Sequence, residues 1–115
     1  MSNRRRYIDK SQTISFSENN FLSSEIFLNG GTLETLRIGR GWKHGDDLEV
    51  FHSFDGGSYK ALCDSTGERV KIENVSADCD IVLTDLTSEG LLYLKFGRSS
   101  ANASTVVIET IIKHK

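Results

Sequence analysis

His44, Asp46, Asp47 and Glu49, followed by His52 and Asp55, are the densest run of metal-ligating side chains in the sequence. Zinc sites place Cys or His at short fixed spacings such as Cys-x-x-Cys or His-Glu-x-x-His, and neither spacing occurs. The alternating oxygen ligands and central glycine of an EF-hand loop are also missing. The run reads as a solvated turn, with no metal and no cofactor expected. Nucleophilic catalysis needs a serine or thiol activated by a base that is itself oriented by a third group. Cys63 and Cys79 have no histidine close to them in sequence. No glycine-rich loop leads into a helix to cradle a phosphate. The expectation is a protein without catalytic residues, not an enzyme.

Surface chemistry remains. Arg4, Arg5 and Arg6, followed by Tyr7, form a basic segment whose guanidinium groups suit phosphate or carboxylate. Three arginines without a wider basic face do not make a nucleic-acid site. Their expected use is to bind an acidic protein neighbour. Phe51 lies between Glu49 and Ser53 on an outward strand face, which suggests contact with another chain. Trp42, in the loop Gly41–Gly45, is read as closing one end of a core, its ring buried and its N–H bonded. The other use of Trp42, together with Tyr59 and Tyr93, is as stacking platforms for a sugar.

These side chains must be carried by strands, because the hydrophobic period along the chain is two and not 3.6. Expected strands are Gln12–Ser17, Ser24–Asn29, Thr32–Ile38, Asp47–Phe54, Ser58–Cys63, Arg69–Glu73, Asp80–Thr84, Leu91–Phe96 and Thr105–Lys113. Glycine-bearing turns separate them, for instance Asn29-Gly30-Gly31 and Asp55-Gly56-Gly57. One short helical turn at Thr84–Glu89 is the most helix the pattern allows. Alternation puts Leu48, Val50, His52 and Phe54 on one face and Glu49, Phe51 and Ser53 on the other. Leu92, Leu94 and Phe96 share a face, as do Val106, Ile108 and Ile112. Asp-Gly between two such runs marks a hairpin. The string Ser53-Phe54-Asp55-Gly56-Gly57 is similar to the Asp-box of sialidase-like propellers, which recurs once per blade. A single copy in so short a chain reads as the hairpin alone. Two antiparallel sheets packed on their apolar faces satisfy every strand at once, so the expected fold is an all-β sandwich of jelly-roll type.

The chain has 115 residues, the size of one domain. With 37% hydrophobic and 26% charged residues it is composed like a soluble folded protein. Residues 1–10 are read as an extended arm and 11–115 as the sandwich. A charged leader of this kind is more easily ordered by a neighbouring chain than by its own small domain, which points to an assembly. Two cysteines do not make a disulfide framework, and both are expected as reduced, partly buried thiols. The sequence shows no membrane-length apolar run and no apolar segment after the basic N-terminus, so synthesis in a cytoplasm is expected and membrane contact is not.

From Ser24 onward, about four-fifths of its length, the sequence resembles small phage and prophage proteins encoded among virion structural genes. The resemblance runs through Ser24-Glu25-Ile26-Phe27-Leu28, Leu36-Arg37-Ile38, Trp42, Leu48-Glu49-Val50, Ser53-Phe54-Asp55-Gly56-Gly57 and Gly67-Glu68. It ends on Leu92-Tyr93-Leu94-Lys95-Phe96-Gly97-Arg98-Ser99. The family's penultimate strand commonly ends Arg-Ser-Gly, often before a glutamine-bearing loop. This chain departs there, with a loop of Ser100-Ala101-Asn102-Ala103-Ser104. The resemblance implies a virion β-sandwich protein, a capsid decoration or head–tail accessory component made in a bacterial cytoplasm. Its partners would be coat or head–tail subunits and further copies of itself, most naturally as a trimer. The alternative is a carbohydrate-binding sandwich used for adsorption to a host surface.

Overall fold

A computed structural model describes residues 8–83, 91–99 and 104–114. Its strands are β1 (Ile8–Phe16), β2 (Ile26–Phe27), β3 (Thr32–Ile38), β4 (Leu48–Ser53), β5 (Lys60–Ala61), β6 (Lys71–Ile72), β7 (Cys79–Val82), β8 (Tyr93–Gly97) and β9 (Val106–His114). The first sheet has the order β1-β9-β3-β7, and the second the order β2-β8-β4-β5, with β6 also pairing β4. All the pairings are antiparallel. With β6 set aside, the remaining eight strands have the order of a jelly roll. Among the described residues no helix is long and apolar enough to cross a membrane.

Alternation builds the core. Leu36 and Ile38 from β3, Leu48 and Val50 from β4, Leu94 and Phe96 from β8, and Val106, Ile108 and Ile112 from β9 are all buried. Phe16 and Trp42 close one end, their rings edge to face at 5.7 Å. Trp42 is therefore a core residue, 5% exposed. The bonded N–H expected of it is not found, since Nε1 has no partner among the described residues.

The structure departs from the sequence reading at several places. Phe54 does not continue the inward row of Leu48 and Val50; it is 81% exposed, because β4 ends at Ser53 and the chain turns there. Ser53 is buried instead, its hydroxyl holding the turn. Leu92 precedes β8 and is exposed rather than part of the Leu94–Phe96 row. The strand expected over Ser24–Asn29 keeps only two paired residues, since Ser24 N–H leaves its own sheet to bond Ser15 O of β1 at 3.0 Å. β1 starts at Ile8, so Ile8–Lys10 of the expected arm pair with β9. Both cysteines are free, but Cys63 is exposed, because its edge ladder is a single bridge to Arg69. The short turn considered at Thr84–Glu89 lies outside the described residues.

Candidate functional site

The outer face of the second sheet carries an unusual density of aromatic and aliphatic side chains. In the segment leading into β2, Ile26 and Leu28 are buried, which turns Glu25 and Phe27 outward. Phe27 lies opposite Tyr93 of β8, and the two rings stack at 4.8 Å with an interplanar angle of 19°. Two residues along β8, the Lys95 ammonium sits 4.7 Å from the ring centre of Tyr59, a cation–π contact. The Tyr59 hydroxyl donates to Glu25. Burial, reinforced by this acceptor, pushes the Tyr59 phenol above its usual value, so it is a neutral donor. A second row begins at Leu22, which bridges to Gly97. A Cβ on Gly97 would stand 2.7 Å from Cε1 of Phe51. Only glycine leaves room there for the ring, an aromatic covering a glycine on a neighbouring strand. Phe27 is 43% and Leu22 41% exposed, whereas the solvent face of an antiparallel sheet is ordinarily polar. Ion pairs Arg69–Glu49 at 3.2 Å and Lys71–Asp47 at 3.5 Å border the face on the β6 side.

The hairpin from β4 to β5 frames one end of this face and is held by its own side chains. Ser53 Oγ donates to Asp55 Oδ1 at 2.9 Å and accepts from Gly56 N–H at 2.9 Å. Asp55 Oδ1 also accepts from the N–H groups of Gly57 at 2.8 Å and Ser58 at 3.3 Å. These donors, Gly57 first, hold the Asp55 carboxyl below its usual value. Asp64 is lowered in the same way, chiefly by the Thr66 hydroxyl, and Asp80 by its hydrogen bond from Arg37. A carboxylate lowered in the folded state stabilises above its unfolded pKa, near 4, and loses that contribution as pH falls through the folded value. The contribution of these three carboxylates should therefore be flat from pH 7 to about 5 and fall below about 4. In thermal unfolding across that range, Asp55→Asn and Asp80→Asn should each flatten the acid limb.

The residues singled out from the sequence separate into distinct places. Tyr59, Tyr93 and Phe51 fall on one face, with Phe51 half-buried over Gly97. Trp42 lies in the core, away from them. Arg4, Arg5, Arg6 and Tyr7 lie outside the described residues. The acid- and histidine-rich stretch disperses: Asp47 pairs with Lys71, the His44 ring meets Ser76 Oγ at 3.1 Å, and His52 Nε2 accepts from Leu92 N–H at 3.2 Å. Burial holds His52 below its usual pKa, and the acceptor role of Nε2 puts the ring proton on Nδ1. Among the described residues no three His, Cys, Asp or Glu gather as metal ligands. Cys79 donates to Ser76 O at 3.1 Å. Sequence reasoning missed Leu22, Glu25, Phe27 and Lys95 as members of the face. Phe27 had a signal, its parity opposite to Ile26 and Leu28. Leu22 had none, since it precedes its strand.

No family model matches the chain, and no curated protein matches it in sequence. Among solved structures, the crystal structure of the SPBc2 prophage-derived protein YomS is similar, with a TM-score of 0.53 over 91% of this chain and 95% of that one. The two are 14% identical in sequence. This chain thus shares, over nearly its whole length, the fold of a protein of prophage origin.

Proposed function

We propose that the chain is a structural component of a phage particle, a capsid decoration or head–tail accessory protein, and that it docks through the outer face of its second sheet. The observation that carries this reading is the exposure of Leu22 and Phe27 beside the half-buried Tyr93, Tyr59 and Phe51, on a sheet face that solvent alone would leave polar. Such a patch, with aromatic anchors and ion pairs at its border, has the anatomy of a protein interface. The fold shared with a prophage-derived protein supports the phage context. The basic arm adds guanidinium contacts to an acidic neighbour without enlarging the domain. The reading assigns no catalysis, no membrane and no nucleic acid; the protein acts in the virion after synthesis in the bacterial cytoplasm.

The test is binding to particles that lack the protein. Phe27→Asp places a charge on the face without touching the core, and it should weaken binding at least tenfold, about 1.4 kcal/mol or more. Unchanged affinity would remove the face from the proposal. A sugar-binding use draws support from the aromatic pair beside Glu25 and Lys95, though Trp42 takes no part. A glycan-array signal abolished by Tyr93→Ala but not by Trp42→Phe would favour it instead.

A further inference from the structure

The outer face of the first sheet has a different chemistry. Arg37 donates to Asp80 through Nε at 2.7 Å and Nη2 at 3.0 Å, and lies 3.8 Å from Glu109. Beside this cluster runs a groove of about 420 Å³, walled by Val107 and bearing Asp78, Asp80 and Glu109. A smaller hollow of about 120 Å³ continues it along Arg37 and Glu109 to Ile111. Gly39, which lines the larger groove, lets the two strands approach closely: a Cβ there would stand 2.3 Å from the Val107 carbonyl oxygen. Val107 is 44% and Ile111 38% exposed. The groove therefore combines apolar walls with three carboxylates against one guanidinium.

The chain itself contains a segment of matching chemistry. Arg4, Arg5, Arg6 and Tyr7 immediately precede β1, the edge strand of this same sheet. The formal charge of the whole chain is −2, and taking away these three arginines leaves −5. Charge is thus segregated, a basic leader on an acidic body, so that bodies repel and each leader is drawn to another body.

We propose that this groove receives the Arg4–Tyr7 segment of a second copy of the chain. The guanidinium groups meet Glu109 and Asp78, and the Tyr7 ring lies against Val107 and Ile111. A second copy is favoured over the chain's own segment by direction. Thr13 is the β1 residue level with Glu109, and Ile8 lies five residues further along the strand, roughly 17 Å away. Neither glycine nor proline stands between Arg4 and Ile8 to reverse the chain. To reach the groove of its own chain, Arg4–Tyr7 would have to reverse within four residues and run back past Ile8, whereas a second copy imposes no such reversal. The inference rests on the reading of the protein as an assembly subunit, and concerns its contacts with itself.

Sedimentation velocity at low salt would compare the full chain with a chain lacking residues 1–7, with Arg4→Gln/Arg5→Gln/Arg6→Gln, and with Asp78→Lys/Glu109→Lys. The full chain should self-associate, roughly tenfold or more weakly in each variant, and less as salt rises. The second and third variants leave β1 and the core intact, so lost association in them is not misfolding. The synthetic peptide Met1–Tyr7, C-terminally amidated and added to the truncated chain, should shift the amide resonances of Gly39, Val107 and Glu109. Association unchanged by the arm variants, a full chain monomeric at all concentrations, or peptide shifts mapping away from this groove would each overturn the proposal. Particle binding by Phe27→Asp is read separately. Loss there with arm-independent self-association removes this inference and leaves the docking face standing, and the converse pattern does the opposite.

Discussion

Arg98→Ala should be among the most destabilising single changes in the molecule, lowering stability by about 3 kcal/mol through the carbonyl acceptors it strands and Tm by roughly 10 °C or more. The Arg98 residue is only 6% exposed. Its guanidinium donates to Asn20 O at 2.9 Å, Ser104 O at 2.7 Å and Ser17 O at 2.9 Å. Its central carbon lies 4.6 Å from the ring centre of Phe16. One side chain thus ties the end of β8 to the β1–β2 loop and to the residues before β9. Burial pulls its pKa below the usual guanidinium value, opposed by the charge of Asp46. The charge is tolerated because the carbonyls meet it. Truncation strands all three acceptors and opens a void over Phe16, and an unpaired buried polar group costs about 1–3 kcal/mol. Arg98→Lys keeps the charge but not the planar fork, so it should recover a minor part of the loss. Thermal and urea unfolding check this. A Tm for Arg98→Ala within about 3 °C of the parent would show that water replaces the guanidinium at little cost.

Phe16→Ala should cost a comparable 3–5 kcal/mol through the cavity it leaves. Phe16 is fully buried, with Trp42 edge-on to one side and Arg98 over its face. Losing the ring removes the support of both neighbours at the end of the sandwich where Nε1 of Trp42 is already unbonded among the described residues. The urea midpoint should fall with the m-value unchanged, the sign of lost stability in an intact fold. The Phe16→Ala/Arg98→Ala double variant should be less destabilised than the two losses added, by about 1 kcal/mol, because each deletion removes the same contact. Strict additivity would mean that the cation–π contact contributes nothing.

These two residues mark where sequence reading stops. Two-residue alternation assigns Leu48, Val50, Leu94, Phe96, Val106, Ile108 and Ile112 to the interior, and all are buried. Thr32–Ile38 was legible to the residue as β3, since a turn bounds it on either side. Arg98 gives no such signal. An arginine after a strand looks like any surface arginine until the β1–β2 loop is folded across it. Phe54 misled for the reverse reason: its parity fits the inward row, but the Asp55 turn ends the pleat one residue earlier.

The aromatic outer face of the second sheet was legible only in pieces. Alternation says that Tyr93, Phe51 and Tyr59 point the same way within their own strands. It does not say that β2 lies beside β8, which brings Phe27 onto Tyr93, nor that β8 lies beside β4, which brings Gly97 under Phe51. Strand order comes from crossovers that a local period cannot encode. The same limit hid the groove of the first sheet, whose carboxylates come from β7, β9 and the turn before β7.

Counting copies on the particle bears most directly on whether this protein is a virion component. Virions purified from the strain that carries the gene would be analysed by quantitative mass spectrometry, with the parent chain and with Phe27→Asp. The parent should be present in a fixed ratio to the coat protein, and the variant depleted from particles while still abundant and folded in the lysate. Infectious particles containing none of the parent chain would contradict the account at its root.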